Sequence, residues 1–397
     1  MISITKAIRI IQSEKVSPSS ETAELANVIG RVLAENIIAD TDLPPFDRSQ
    51  MDGFAVNAKD TFKAPVELKI VGESAAGSGW HKTLKKGEAV RIMTGAPVPI
   101  GADAIQKVEL TEEKNSVVTV FEATDKGHYI IRRGAEIKKG QTVLHYGEQI
   151  TPANIAVPAA FGYAKVKVAK RPRIAIFSTG SEIVNIGKNP KRDQIRNSNS
   201  IMLKSLSEQS GAIATVLPNV GDKLSDLKSQ ILSATKTADI LITTGGVSVG
   251  KYDFTKTALT ELGAEIFFDK IALKPGKPTV FAKLGKTFIY GLPGNPVSAA
   301  VTFHLLVREL IMLMQSATES GLRQGFAVMG QGAKSTKDRD TYLPTRLETD
   351  KTGRLIADPL KWHGSSDFIG FAKAEALIIL PKGKSLEKDE VARIVHL

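Results

Sequence analysis

From residue 173 onward, short apolar runs alternate with helix-length segments, and that rhythm restricts the fold more than any other feature of the chain. Residues 173–177 (Arg-Ile-Ala-Ile-Phe) form an unbroken strand-like run, 200–209 read as a helix, 212–217 as a strand, 224–234 as a helix and 239–243 as a strand. A helix over 254–262, a strand over 287–290 and a long helix over 297–314 complete the series. Strands that alternate with helices pair in parallel through crossovers, which predicts a doubly wound α/β domain over 173–319.

In such a sheet, ligands bind in the crevice at the carboxyl ends of the strands. The loops there have an unusual composition. The first is Ser178-Thr179-Gly180-Ser181-Glu182, and the second is Asn219-Val220-Gly221-Asp222. The third runs from Thr244-Gly245-Gly246-Val247-Ser248-Val249-Gly250 to Asp253, and the last is Gly291-Leu292-Pro293-Gly294-Asn295-Pro296. Glycines such as Gly245, Gly246 and Gly250 let backbone amides approach an anion. Glu182, Asp222 and Asp253 supply hard oxygen ligands suited to Mg²⁺ beside a phosphate. The competing reading is that each acid only caps the helix after it.

The third loop imitates two other motifs. Gly245 to Lys251 fits G-x-x-x-x-G-K, but Tyr252 stands where a phosphate loop needs a Ser or Thr hydroxyl. Gly246 to Gly250 fits G-x-S-x-G, yet His304, His363 and His396 lie in no recognisable hydrolase context. The histidines are scattered, without a pair at metal-ligand spacing. Lys274-Pro275-Gly276-Lys277-Pro278 is more telling. Two ammonium groups held close by a stiff turn are unfavourable unless an anion sits between them; the alternative is a solvated turn.

The rest of the chain reads differently. Residues 1–45 suggest two helices, the second over 24–34, and with 141–172 they form a helical, linking domain. Residues 46–140, rich in Gly, Pro and Val with short alternating runs, suggest an inserted β domain. From 320 to 397 short strands return, as a C-terminal β domain. At 397 residues several cores are needed. The chain has no cysteine, which suits a reducing compartment. Lys6, Arg9 and Lys15 interrupt the N-terminal apolar stretch, and His304, Arg308 and Glu309 interrupt the apolar helix 297–314, so we expect a cytoplasmic protein without a membrane span. Net charge is +11, with the basic residues dispersed and only 6% aromatics. A phosphorylated small molecule fits that balance better than nucleic acid.

Pro45-Phe46-Asp47-Arg48-Ser49-Gln50-Met51-Asp52-Gly53-Phe54-Ala55 resembles a signature of the molybdopterin molybdenumtransferases, a family that includes related domains of fusion proteins such as gephyrin. Arg91-Ile92-Met93-Thr94-Gly95-Ala96-Pro97, Thr179-Gly180-x-Glu182, Gly245–Gly250, Lys274–Pro278 and Gly291–Ser298 follow in the family order. The resemblance implies a homodimer with a molybdopterin adenylyltransferase-like α/β domain and a C-terminal β-barrel. It implies that adenylylated molybdopterin and molybdate react with Mg²⁺ to give molybdenum cofactor and AMP.

The resemblance implies a cleft between the inserted β domain of one subunit and the α/β domain of the other; its implied catalytic residues are Asp52, supplied by the partner chain, Thr94, Glu182, Asp222 and Asp253, the last three holding the metal. The implied substrate-binding residues are Gly245, Gly246, Ser248 and Gly250 for the pterin phosphate. To these it adds Lys274, Lys277, Pro278, Pro293, Pro296, Ser298, Arg339 and Ser365 around the oxyanion. A molybdopterin adenylyltransferase and molybdoenzyme chaperones are further partners that it admits.

The chain departs from the family pattern in places. Ser181 replaces an acid, Ala135 replaces another in Gly134-Ala135-Glu136, Asn197 stands for an aspartate, and the segment before Ser365 is one residue short. A scaffold that had lost catalysis would have no reason to keep the acids and both lysines.

Overall fold

The computed structural model describes residues 1–247, 254–361 and 364–397. The chain divides into two compact units, one of residues 1–34, 147–150 and 167–397, the other of residues 35–146 and 151–166.

The first unit is built on a six-stranded sheet in the order Ile213–Val216, Arg173–Ser178, Ile240–Thr244, Thr287–Leu292, Val280–Leu284, Glu265–Phe268. The first four strands are parallel, and the last two extend the sheet antiparallel. Side chains alternate across its faces. Ile174 and Ile176 join Leu203, Val297 and Val301 on one side, while Ala175 and Phe177 join Leu227, Ile231 and Leu259 on the other. Both faces are covered, which is why these strands read as continuous apolar runs.

Helices Ser198–Gln209, Leu224–Thr235 and Thr255–Glu261 make the crossovers. Asn197 caps the first of them, its side chain accepting the Ser200 N–H. The last helix begins with Pro296 and runs to Met314 through a π-helical turn, Phe303–Val307. This helix is long and apolar enough to cross a membrane, but 78% of it is buried in the fold. Within the turn, burial and the nearby Arg308 push the His304 imidazole down to about 4.

The N-terminal helix Ile4–Ser13 buries Ile4, Ala7 and Ile11 in the same core as Leu310 and Ile311. The helix expected over 24–34 does not form. A short 3₁₀ turn, Leu25–Asn27, is followed by extended chain in which Val32 and Leu33 bridge Gln149 and Val168. Gly30 at φ 79 ends any helical path, and its N–H binds the Ile150 carbonyl. Tertiary pairing overrides a short apolar periodicity there.

At the C-terminal end of this unit, strands Asp340–Thr349, Leu355–Pro359, Gln324–Met329, Val391–His396 and Ala376–Leu380 pair in that order, and the last pairs back to the first. The result is a closed barrel filled by Met329, Ala357, Ile378, Leu380 and Ile394.

The second unit holds another six-stranded sheet, in the order Ala104–Lys107, Gly53–Val56, Glu88–Ile92, Val66–Ser74, Val117–Val120, Thr111–Lys114. Phe54, Val56, Leu68 and Val118 pack on one face, and Ala55, Val90, Ile92 and Ile105 on the other. The alternation that marks this region as β in sequence is therefore the alternation of two small cores.

Candidate active site

The register of the parallel strands sets where the first site lies. Ser178 pairs with Thr244, and Thr244 with Leu292, so all three strands end at one edge. The Asn219 loop joins them: Val220 donates to the Ser178 carbonyl and accepts from Gly180 N–H. Beyond this edge opens a cavity of about 990 Å³ lined by Thr179, Gly180, Glu182, Asn197, Asn199, Asp222, Gly245, Gly246 and Pro296, among others. The loops chosen from sequence do meet.

Asp222 does not cap the helix that follows. Lys223 takes the N-cap position of Leu224–Thr235 without a side-chain bond. Asp222 Oδ2 instead accepts the Ser181 hydroxyl at 2.7 Å and the Ser181 N–H at 3.2 Å. Ser181, a departure from the family pattern, thus orients an acid rather than supplying one. Glu182 lines the same cavity, so the structure brings together two of the three proposed metal-binding carboxylates. Asp253, with Ser248 and Gly250, lies outside the described residues. Among the described residues no group of three acids or histidines gathers at metal-binding spacing.

Gly245 and Gly246 must be glycines because the loop packs closely on Thr179. Both have positive φ, 91 and 64, and a Cβ on either would come within 2.9 Å of the Thr179 hydroxyl. That hydroxyl is itself buried without a partner. Asn199 forms part of the wall. Its Nδ2 donates to the Gly294 carbonyl at 2.7 Å and to Thr244 Oγ1 at 3.0 Å. Thr244 Oγ1 donates in turn to the Pro293 carbonyl, so it must accept from Asn199 and the amide orientation is fixed. The Asn199 carbonyl oxygen is left buried with no donor. Asn197 ties this wall together, accepting from Ser178 Oγ and donating to Asn219.

The second site is basic. The Leu273–Lys274 strand pairs in parallel with the start of Asp340–Thr349, Lys274 opposite Thr341, so Arg339 lies toward Ala272 and the Lys274-Pro275-Gly276-Lys277-Pro278 turn leaves from the other end of the pair. Gly276 packs so tightly on Thr302 that a Cβ would sit 2.6 Å from its methyl, which docks the turn on the helix that carries Ser298. Ser365 closes the start of that helix. Its carbonyl accepts the Val297 N–H, and its hydroxyl accepts from Asn295 Nδ2 at 2.7 Å. Lys274 and Lys277 are both exposed, and neither forms an ion pair among the described residues. The Arg339 guanidinium pairs with the adjacent Asp338 at 3.3 Å.

The third set of residues lies in the other unit. Asp52 Oδ1 accepts both the N–H and the hydroxyl of Thr94, at 2.6 and 2.9 Å. These two bonds, the backbone one first, hold the Asp52 carboxyl below its ordinary value of 3.8 despite some desolvation. Gly53 follows because nothing larger fits: a Cβ there would lie 1.9 Å from the Gln106 carbonyl. Glu136, next to the altered Ala135, pairs with Arg48 at 2.9 Å.

Sequence reasoning missed the wall formed by Asn197, Asn199 and Asn219. The Asn-Ser-Asn run before the first crossover helix was the available signal, since it is a helix-capping pattern. It also missed Ser366 and Phe368, which reach the cavity from the far end of the chain.

Comparison with known proteins finds relatives along nearly the whole chain. Residues 2–162 match the MoeA N-terminal region (domain I and II), residues 175–312 a probable molybdopterin binding domain, and residues 327–397 the MoeA C-terminal region (domain IV). The molybdopterin molybdenumtransferase of Bacillus subtilis is 36% identical, across 96% of this chain and 90% of its own. That of Haemophilus influenzae is 35% identical, across 91% and 89%. A crystal structure of a molybdopterin biosynthesis MoeA protein from Pyrococcus horikoshii superposes with a TM-score of 0.87 at 26% identity, covering both chains completely.

Proposed function

The chain belongs to the MoeA family, enzymes of the molybdopterin molybdenumtransferase type in molybdenum cofactor synthesis, and from that premise we propose how its own residues divide the reaction. The substrates are adenylylated molybdopterin and molybdate; the products are molybdenum cofactor and AMP. The observation that carries this reading is the presence, in one unit, of a carboxylate-lined cavity and a turn whose two exposed lysines form no ion pair among the described residues.

The cavity handles the phosphoanhydride. Gly245 and Gly246 admit phosphate oxygens close to the backbone, and Glu182 and Asp222 face them. Two carboxylates, one already oriented by Ser181, suit a hard cation, and they would hold Mg²⁺ with Asp253 as a third ligand. Such an ion supplies charge neutralisation where pyrophosphate charge develops. In the second unit Thr94 keeps Asp52 ionised, and we assign that carboxylate to catalysis as a residue supplied by the partner chain of a homodimer.

Molybdate is a tetrahedral dianion and goes to the lysine turn. We assign Lys274, Lys277 and Arg339 to offsetting its charge, Pro278 to shaping the turn, and Ser298 and Ser365, from the start of the Pro296–Thr302 helix, to hydrogen bonding. No covalent nucleophile is required; positioning and charge neutralisation carry the catalysis. A cytoplasmic homodimer that hands its product to molybdoenzymes or their chaperones completes the proposal.

Reconstitution tests it. Purified protein, adenylylated molybdopterin, molybdate and Mg²⁺ are incubated with a cofactor-free molybdoenzyme, whose activity should appear only when all are present. Molybdoenzyme activity that is independent of this protein would defeat the proposal.

A further inference from the structure

Glu182 and Asp222 sit on separate loops, and two side-chain amides tie those loops together. Asn197, only 7% exposed, is the N-cap of the Ser198–Gln209 helix. Its Oδ1 accepts the Ser200 N–H at 3.1 Å and the Ser178 hydroxyl at 2.9 Å. Its Nδ2 therefore points the other way and donates to Asn219 Oδ1 at 2.7 Å. Asn219 is oriented in turn, and its Nδ2 donates to the Ile183 carbonyl at 3.3 Å. Backbone bonds join the two loops at their base, where the Val220 N–H meets the Ser178 carbonyl and the Gly180 N–H meets the Val220 carbonyl. Beyond that base both neighbours of Glu182 are tied to the second loop, Ser181 by Asp222 and Ile183 by Asn219. The Glu182 carboxylate lies back over Gly180, where a Cβ would sit 2.5 Å from its Oε2.

We propose that Asn197 and Asn219 are positioning residues: their linked amides set the separation of Glu182 and Asp222, and through it the affinity of the two acids for a divalent cation. The inference rests on the functional reading above and deepens it. Two carboxylates repel each other and swing apart unless something fixes them, and a hard cation binds best to oxygens already placed for coordination. Groups behind metal ligands act in this way, holding the ligands' direction without touching the ion. Amides suit the place, because they orient through both donor and acceptor and add no charge beside the acids. An aspartate at either position would remove one donor from the chain of bonds and bring a further negative charge.

Two measurements on the full chain test it: Mn²⁺ binding, read from the free-ion signal in electron paramagnetic resonance, and the Mg²⁺ dependence of AMP release. Asn219→Ala breaks both links. Asn197→Ser breaks the first and keeps a residue able to cap the helix. Each should weaken Mn²⁺ about tenfold and raise the Mg²⁺ concentration for half-maximal rate by a similar factor. The molybdate concentration for half-maximal rate should change by less than about twofold. A purely structural role would lower the rate at every Mg²⁺ concentration and leave cation affinity where it was. Unchanged cation affinity in either variant overturns the proposal. Asp222→Asn and Glu182→Gln separate it from the reading beneath it. If these two weaken Mn²⁺ and the asparagine variants do not, the positioning role fails and the cavity keeps its acids. If Mn²⁺ binding is indifferent to all four substitutions, the functional reading of the cavity fails as well.

Discussion

Two aspartates, one in each compact unit, are held in the same way. Asp52 accepts the N–H and hydroxyl of Thr94 on one oxygen, and Asp222 accepts the N–H and hydroxyl of Ser181 on one oxygen. In each case the other oxygen stays available to a ligand. The settings differ. Asp222 shares a cavity with Glu182 and a glycine pair, whereas Asp52 is exposed on a turn that Gly53 makes possible. A carboxylate can thus be aimed by a local clamp, but only long-range assembly gives it a cavity to act in.

The comparison breaks most readily at the acids themselves. Asp222→Ala and Asp52→Ala should each lower insertion by about a hundredfold or more, with the thermal transition unchanged, since each removes a carboxylate that the proposal assigns to catalysis. Wild-type rates in either variant would remove that aspartate from the site. Next comes the basic turn. Lys274→Ala combined with Lys277→Ala should weaken molybdate about tenfold or more, and adenylylated molybdopterin much less, measured by equilibrium binding. Equal losses would mean the oxyanion is misplaced.

The clamps sharpen the comparison at smaller magnitude. Thr94→Val removes the hydroxyl bond and should cost about fivefold. It should also move the acid limb of the pH–rate profile upward. The sign follows from the bond: donors to the charged form lower the Asp52 carboxyl, so its stabilisation is complete above 3.8 and is lost as pH falls through the lowered value. Without the hydroxyl, protonation begins at a higher pH. Ser181→Ala should give the smallest effect, about a threefold rise in the Mg²⁺ concentration for half-maximal rate. No change would leave Ser181 as a loop residue only.

The parallel strands were legible because burial on both faces leaves one kind of sequence, an apolar run such as Ile174 to Phe177. The antiparallel edge strand Glu265–Phe268 was not, because it is short and only partly buried, and Val280–Leu284 beside it also went unread although its first three residues are buried. The segment 24–34 misled by its spacing; pairing with residues 147–150 decided it.

In the site, individual motif residues were readable, and the meeting of the loops followed from where parallel strands end. The Ser181–Asp222 clamp was not readable, since it joins two separate loops. Phe368 was still less so, because its place at the cavity depends on how the C-terminal segment packs at the start of the Pro296–Thr302 helix. The docking of Ser365 there shows the same dependence.

The most direct test of the central claim is AMP release from adenylylated molybdopterin by the purified protein, with Mg²⁺ and with or without molybdate. The account predicts release that depends on molybdate and yields active cofactor. Bound pterin with no release, or release indifferent to molybdate, would contradict it.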